Sequence, residues 1–291
     1  MAFRKKFLVE PGQRIKLAKI DPAFCDSYES EIAANEELAK HKERISVLQR
    51  RLHADGRKAL LIVLQGIDTA GKDGTCWHVI SSMDPEGVNV KGFKEPTPEE
   101  YRHDFLWRIH AHAPAKGDVA VFNRSHYEDV LVARVHQLVP ERSWKTRYDF
   151  INEWERLLHE DNETTIVKFF LYISKEEQLR RFKDRLDQPD RQWKISETDY
   201  TEREYWDEYI EAFEDVFAKC SKAHAPWFII PSNNKWFRNL AVAKIIADTL
   251  EDMDPHYPPA HVDLAKIHHL YDAAAQDNTN TRKKSKGKKH K

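Results

Sequence analysis

From Ala59 to Leu64 every position is apolar. Such a run, with no polar alternation, predicts a parallel strand buried on both faces. Similar runs at Val119–Phe122, Thr165–Ile173 and Trp227–Ile230, with a shorter one at Val88–Lys91, predict four more strands. Between them the apolar positions fall at helical spacing. Leu38, Ile45, Leu48 and Leu52 mark a helix from Ser30 to about Leu52, closed by Asp55-Gly56. A second helix is expected from Lys72 to about Met83. A third starts at Thr97-Pro98-Glu99-Glu100, with a threonine cap, proline in the first turn and glutamate at the third position, and carries Tyr101, Phe105, Leu106 and Ile109. Further helices are expected after Asp129 to about His136, from Ser143 to His159, after a Ser174 cap, from Thr198-Asp199 through Phe217, and from Lys235 to Met253.

Strands alternating with helices predict an α/β fold, a doubly wound and mostly parallel sheet of five strands. Right-handed crossovers bring the carboxyl ends of all its strands to one edge, where ligands bind. Residues 1–55 read as an N-terminal arm and a helix packed on the core. Residues 56–258 form the main domain. Residues 259–291 form a basic tail, low in complexity and without expected order from about 273.

Composition narrows the function classes. Of 291 residues, 41% are hydrophobic and 33% charged, enough for one large core in water. Net charge is −1, but Arg282–Lys291 holds seven basic residues and no acid, so the rest of the chain, once those seven are set aside, stands at −8. An acidic body argues against a nucleic-acid-binding module. Three scattered cysteines suggest a reducing compartment, and neither a secretory leader nor a stretch of about 20 apolar residues is read, so a cytoplasmic protein with no membrane association is expected. His103, His110 and His112 lack the cysteines or clustered acids that would complete a metal set.

The first strand runs into Gly66-Ile-Asp-Thr-Ala-Gly71-Lys72-Asp73-Gly74-Thr75. Two glycines five apart and a lysine, between a buried strand and a helix, read as a phosphate-binding loop. Backbone N–H groups curl round an oxyanion and Lys72 supplies a point charge. The usual pattern places Ser or Thr after the lysine to bind Mg²⁺; here Asp73 stands there, and Asp68 sits within the loop. A carboxylate lining a phosphate cradle needs a cation between, so Asp68 is read as a metal ligand. A chance glycine turn is the alternative. The second strand delivers Asn123-Arg124, which caps the following segment or faces the same crevice. A basic helix face follows the third strand, with Arg180, Arg181 and Arg185; its alternative is a solvated face balanced by Glu176, Glu177 and Asp184.

Three motifs in this order, G-x-D-x-x-G-K-D-G-T, F-N-R-S-H-Y-E-D at Phe122–Asp129 and Q-L-R-R-F-x-x-R at Gln178–Arg185 followed by Trp193-Lys194, resemble the polyphosphate kinase 2 family over about Val9–Pro258. The resemblance implies a P-loop kinase fold like that of thymidylate kinase, with a helical lid at about 180–200. It implies phosphoryl transfer between inorganic polyphosphate and AMP, ADP or other nucleotides, forming ADP and ATP, with Mg²⁺ or Mn²⁺, by a homodimer or homotetramer. On this likeness Asp68, Lys72, Arg124 and Arg185 are the catalytic candidates, with the metal on Asp68 and a contribution from Glu128 or Asp129. Phosphate and nucleotide binding is assigned to Gly66, Ala70, Gly71, Lys72, Asp73, Gly74, Thr75, Arg108, Asn123, Arg124, Glu128, Arg181, Arg185 and Lys194. Many family members have Asp where this chain has Asn123. The N-R-S-H-Y-E-D form resembles the subgroup that acts on both nucleoside mono- and diphosphates. Two rivals remain: an ATP-dependent nucleoside monophosphate kinase, and a nucleotide switch. Against a guanine switch, Asn234-Lys235 continues as Trp236-Phe237.

Overall fold

The computed structural model describes residues 2–28 and 30–287. Six strands, β1 (Leu8–Val9), β2 (Ala59–Gln65), β3 (Val88–Gly92), β4 (Val119–Asn123), β5 (Thr164–Tyr172) and β6 (Trp227–Pro231), form one sheet in the order β1-β6-β5-β2-β4-β3. The five expected strands are all mutually parallel, with Leu60 opposite Val119 on one side and Thr165 on the other. The sixth is the difference from the sequence reading. Two residues of the N-terminal arm pair antiparallel with β6, Leu8 to Phe228 and Val9 to Trp227, and cover an edge that would otherwise expose unpaired backbone.

Eleven helices are described: α1 (Ala2–Phe7), α2 (Glu31–Asp55), α3 (Lys72–His78), α4 (Trp107–His110), α5 (Val132–Val135), α6 (Glu141–Asp161), α7 (Lys175–Asp187), α8 (Glu197–Glu202), α9 (Trp206–Cys220), α10 (Lys235–Asp252) and α11 (Leu264–Gly287). Alternation along β2 divides the core. Leu60, Ile62 and Leu64 pack with Ile45 of α2 and Leu240, Ile245 and Ile246 of α10; Leu61 and Val63 face Ile151 and Trp154 of α6 and Phe213 and Phe217 of α9. Both faces are therefore dry, as the unbroken apolar run requires. The arm adds Phe3, Phe7, Phe24 and Tyr28 around Phe237.

Several helices depart from the periodicity. The helix expected to Met83 ends at His78, and a 3₁₀ turn covers Ile80–Ser82. Thr97 and Glu100 do exchange their capping hydrogen bonds, at 3.2 and 2.7 Å, yet only a 3₁₀ turn follows. Asp104 Oδ1 accepts from the Leu106 N–H at 3.0 Å and restarts the chain as α4. The helix expected from Thr198 begins earlier, under a Ser196–Asp199 capping box, and a 3₁₀ turn at Arg203–Tyr205 separates α8 from α9.

The chain divides at His256–Tyr257. In the second unit α11 runs where no order was expected from 273; the Ala273–Ala275 run has the highest helix propensity of any residue type. Residues 288–291 lie outside the described residues. No helix among those described is long and apolar enough to cross a membrane.

Ser174 closes the gap between β5 and α7: its Oγ accepts from the Glu177 N–H at 3.1 Å. Ser174→Ala is expected to cost about 1 kcal/mol, read as a lower urea midpoint with unchanged slope.

Candidate active site

The carboxyl ends of β2, β4 and β5 converge, because β2 is the strand at which the sheet winds off in two directions. Gly66–Gly71 loops out of β2 and Lys72 opens α3. Lys72 is buried, and its Nζ donates back to the Gly66 carbonyl at 2.6 Å. Burial, reinforced by the neighbouring charge of Arg124, lowers its pKa to about 8. A dry ammonium on a loop carbonyl is ready to exchange that acceptor for a phosphate oxygen.

Arg124 leaves β4 in the left-handed region, at φ +62°, while its N–H stays bonded to the Leu64 carbonyl of β2 at 3.1 Å. Non-glycine residues are uncommon there and the conformation carries strain. The bend brings the guanidinium across the loop, where one nitrogen binds Asp68 and the other Glu128 at 3.2 Å. These carboxylates, Glu128 foremost, raise the pKa of Arg124, so it is permanently charged. Burial alone would raise the pKa of Asp68, but Arg124, Lys72 and Arg185 outweigh it and hold the carboxyl below its ordinary range. Gln178 of α7 donates to the Asp68 carbonyl at 3.2 Å and ties the loop to α7.

Asn123 and Asp73 meet directly: Asn123 Nδ2 donates to Asp73 Oδ1 at 2.8 Å, and Lys194 Nζ lies 3.1 Å from Asp73 Oδ2. Asp73, in place of the usual hydroxyl, thus joins the β4 end to the segment between α7 and α8. Arg185 donates to the Lys194 carbonyl at 3.2 Å and faces Asp199 at 3.5 Å. Thr75 is buried and donates to the Gly71 carbonyl, so it braces α3 from within.

A cavity of about 860 Å³ opens beside the loop, bounded by Asp68, Phe93, Phe105, Arg108, Arg124 and Arg147 among others. Arg108 donates to the Lys94 carbonyl at 2.8 Å, and Arg147 reaches Asp129 Oδ1 at 3.2 Å while lying over the Phe105 ring. Burial pushes the Asp129 carboxyl up to about 6, with Arg147 and Arg108 offsetting only part of that. Cations and aromatic rings together suit a base and an anionic group.

Arg181 is set differently from the sequence reading, which put it among the phosphate-binding residues. It is buried, pairs with Glu177 at 2.6 Å, and donates to the Thr69 and Ala70 carbonyls at 2.8 and 3.0 Å. It supports the loop from behind. The sequence reading named no role for Arg147, which reaches Asp129, or for Arg238, which reaches the Ala70 carbonyl; Gln178 stood in the third motif without an assigned role. Beneath the Asn123–Asp129 turn, fully buried Lys168 of β5 donates to Glu155 at 2.6 Å and to the Tyr127 hydroxyl at 2.8 Å, fastening the turn to α6.

A divalent cation fits this donor set. No group of three or more metal-binding side chains is assembled among the described residues. Mg²⁺, however, is commonly held by one or two carboxylates together with substrate phosphates and water. Asp68 and Glu128, on either side of Arg124, are the carboxylates at this loop that could hold a divalent cation together with a substrate phosphate; Asp129 is turned toward Arg147.

The chain matches the family model described as Polyphosphate kinase 2 over residues 28–258. A Meiothermus ruber protein named AMP/ADP-polyphosphate phosphotransferase is 45% identical over 264 residues, covering 90% of this chain and 98% of that one. A Rhodopseudomonas palustris protein named ADP-polyphosphate phosphotransferase is 41% identical over 266 residues, 87% of this chain and 92% of the other. The crystal structure of polyphosphate kinase 2 from Arthrobacter aurescens TC1 superposes with a TM-score of 0.86 at 41% identity, over 91% and 97% of the two chains.

Proposed function

The chain belongs to the polyphosphate kinase 2 family and is a polyphosphate-dependent nucleotide phosphotransferase; from this we infer that AMP and ADP are its acceptors and that the crevice at the end of β2 carries the transfer. The observation that supports the reading most is the convergence of Lys72, Asp68 and Arg124 beside a cavity large enough for a nucleotide.

In the forward direction an oxygen of the acceptor's terminal phosphate attacks the terminal phosphorus of the polyphosphate chain. The bond from that phosphorus to the next bridging oxygen breaks, and the shortened chain keeps the electron pair. The second ionisation of a phosphate monoester lies near ~6, so the attacking oxygen is already largely deprotonated at neutral pH and needs no strong base. Charge neutralisation and alignment dominate such a transfer. Lys72 and Arg124 supply fixed positive charge at the transferred group, and Arg185 and Lys194 line the approach of the donor. Arg108, Arg147 and the Phe93 and Phe105 rings hold the acceptor in the cavity. Mg²⁺ or Mn²⁺, held by Asp68 with Glu128, would supply further neutralisation of the phosphate oxygens.

Asp73 and Asn123 have structural partners in each other and in Lys194, which supports a role in holding the lid segment near the loop. Incubation with Mg²⁺, polyphosphate and either AMP or ADP is expected to give ADP and ATP respectively, read by separating the nucleotides. Product from ADP alone would limit the acceptor to diphosphates and contradict the reading of the cavity as a monophosphate site.

A further inference from the structure

Arg238 of α10 is 2% exposed and lies directly behind the phosphate loop. Its Nε and Nη2 donate to the side-chain oxygen of Asn239 at 3.1 and 2.8 Å, and its Nη1 to the Ala70 carbonyl at 3.4 Å. Among the described residues it has no carboxylate partner, and Arg181, of the same sign, acts against its charge. Arg181 has Glu177 as its counter-charge; Arg238 has none. Burial and Arg181 together push its pKa down to about 9. A buried guanidinium without a counter-charge is unfavourable.

The loop is shaped around this side chain. A Cβ on Gly71, itself at φ +111°, would stand 1.7 Å from Arg238 Nη1. A Cβ on Gly74, whose backbone is ordinary helix, would stand 2.9 Å from Nη2. The dihedrals at Gly74 would accept a side chain, but its Cβ would push the guanidinium aside. The Thr69 and Ala70 carbonyls point back at Arg181 and Arg238. In a trans peptide the N–H points opposite to the C=O, so the Gly71 N–H is turned away from the arginines, and no backbone carbonyl among the described residues accepts from it.

We propose that Arg238 is a positioning residue for the phosphate loop: held behind Ala70, Gly71 and Gly74, it aims the Gly71 N–H at the crevice and lends the loop a positive charge that the donor's phosphoryl chain neutralises. The inference rests on the reading that this loop takes the phosphoryl chain. Arg181, already paired, contributes the hydrogen bonds without the free charge.

Melting with and without tripolyphosphate, together with KM for polyphosphate and for AMP, tests this on wild type, Arg238→Met and Arg238→Lys. Arg238→Met removes a buried charge that nothing offsets, so without ligand it is expected to melt within about 4 °C of wild type. It should lose most of the tripolyphosphate-induced rise in Tm. Its KM for polyphosphate should increase about tenfold while that for AMP moves less than about threefold. Arg238→Lys should recover most of both losses, which a packing role would not give. Full retention of the ligand-induced rise and of KM in Arg238→Met overturns the proposal; so does equal destabilisation of both variants with the rise intact. A wild type that shows no rise sinks the functional reading as well. Should Arg238→Met not fold, Gly74→Ala, which forces the guanidinium aside, carries the test: it should raise KM for polyphosphate several-fold, and a wild-type value there overturns the proposal.

Discussion

Asp68→Asn is expected to lower kcat by about 10²–10³, the loss usual when one charge-stabilising group is removed from such a site, while the protein stays folded. The reason lies in what the substitution keeps. Asparagine has the same shape and can still accept from Arg124, so the loop, its Gln178 tether and the Lys72 bond to Gly66 should persist. Only the negative charge is lost, and with it the group best suited to share a divalent cation with the substrate phosphates. The reaction should therefore respond in kcat, and melting should stay near that of the wild type. Activity within a few-fold of wild type would move the role to Glu128 or Asp73.

Arg124→Lys should be nearly as damaging, with kcat lower by about 10²-fold, because the two cations are not interchangeable where a planar fork spans two partners. One nitrogen of Arg124 meets Asp68 and another Glu128. A lysine ammonium is a single point on a shorter reach and cannot hold both carboxylates and turn to a phosphate as well. Without the guanidinium, Asp68 and Glu128 are also left as like charges facing the incoming polyanion. Steady-state rates at saturating polyphosphate, with circular dichroism to confirm folding, check this; lysine restoring a tenth or more of the wild-type kcat would reduce Arg124 to a source of net charge.

What could be read from the sequence was whatever shows in a local pattern. β2 is buried on both faces, so it appears as an unbroken apolar run, and the glycine spacing after it carries its own geometry. The convergence of the Asp68 loop with Asn123-Arg124 followed from a parallel sheet with right-handed crossovers. What was missed depends on partners far along the chain. β1 spans two residues, shorter than any periodicity, and exists because β6 offers it an edge. Lys168 sits in an apolar strand and is tolerated there only because Glu155 and Tyr127 come from elsewhere to meet it. Arg181 and Arg185 share one helix face, and nothing in their spacing tells that the first turns inward to the loop carbonyls while the second lies by Asp199. The third helix failed for a local reason of another kind: Asp104 offers a competing cap three residues before its expected continuation through Trp107.

The phosphoryl donor is inorganic polyphosphate. Initial rates with AMP and Mg²⁺ are to be compared between two mixtures, polyphosphate without ATP and ATP without polyphosphate, following chain-end and nucleotide phosphorus by ³¹P NMR. In the first mixture ADP should appear as the chain loses terminal phosphate, one for one, and faster than in the second. ADP formed only where ATP is supplied, with the polyphosphate unchanged, would contradict this and leave an ordinary monophosphate kinase.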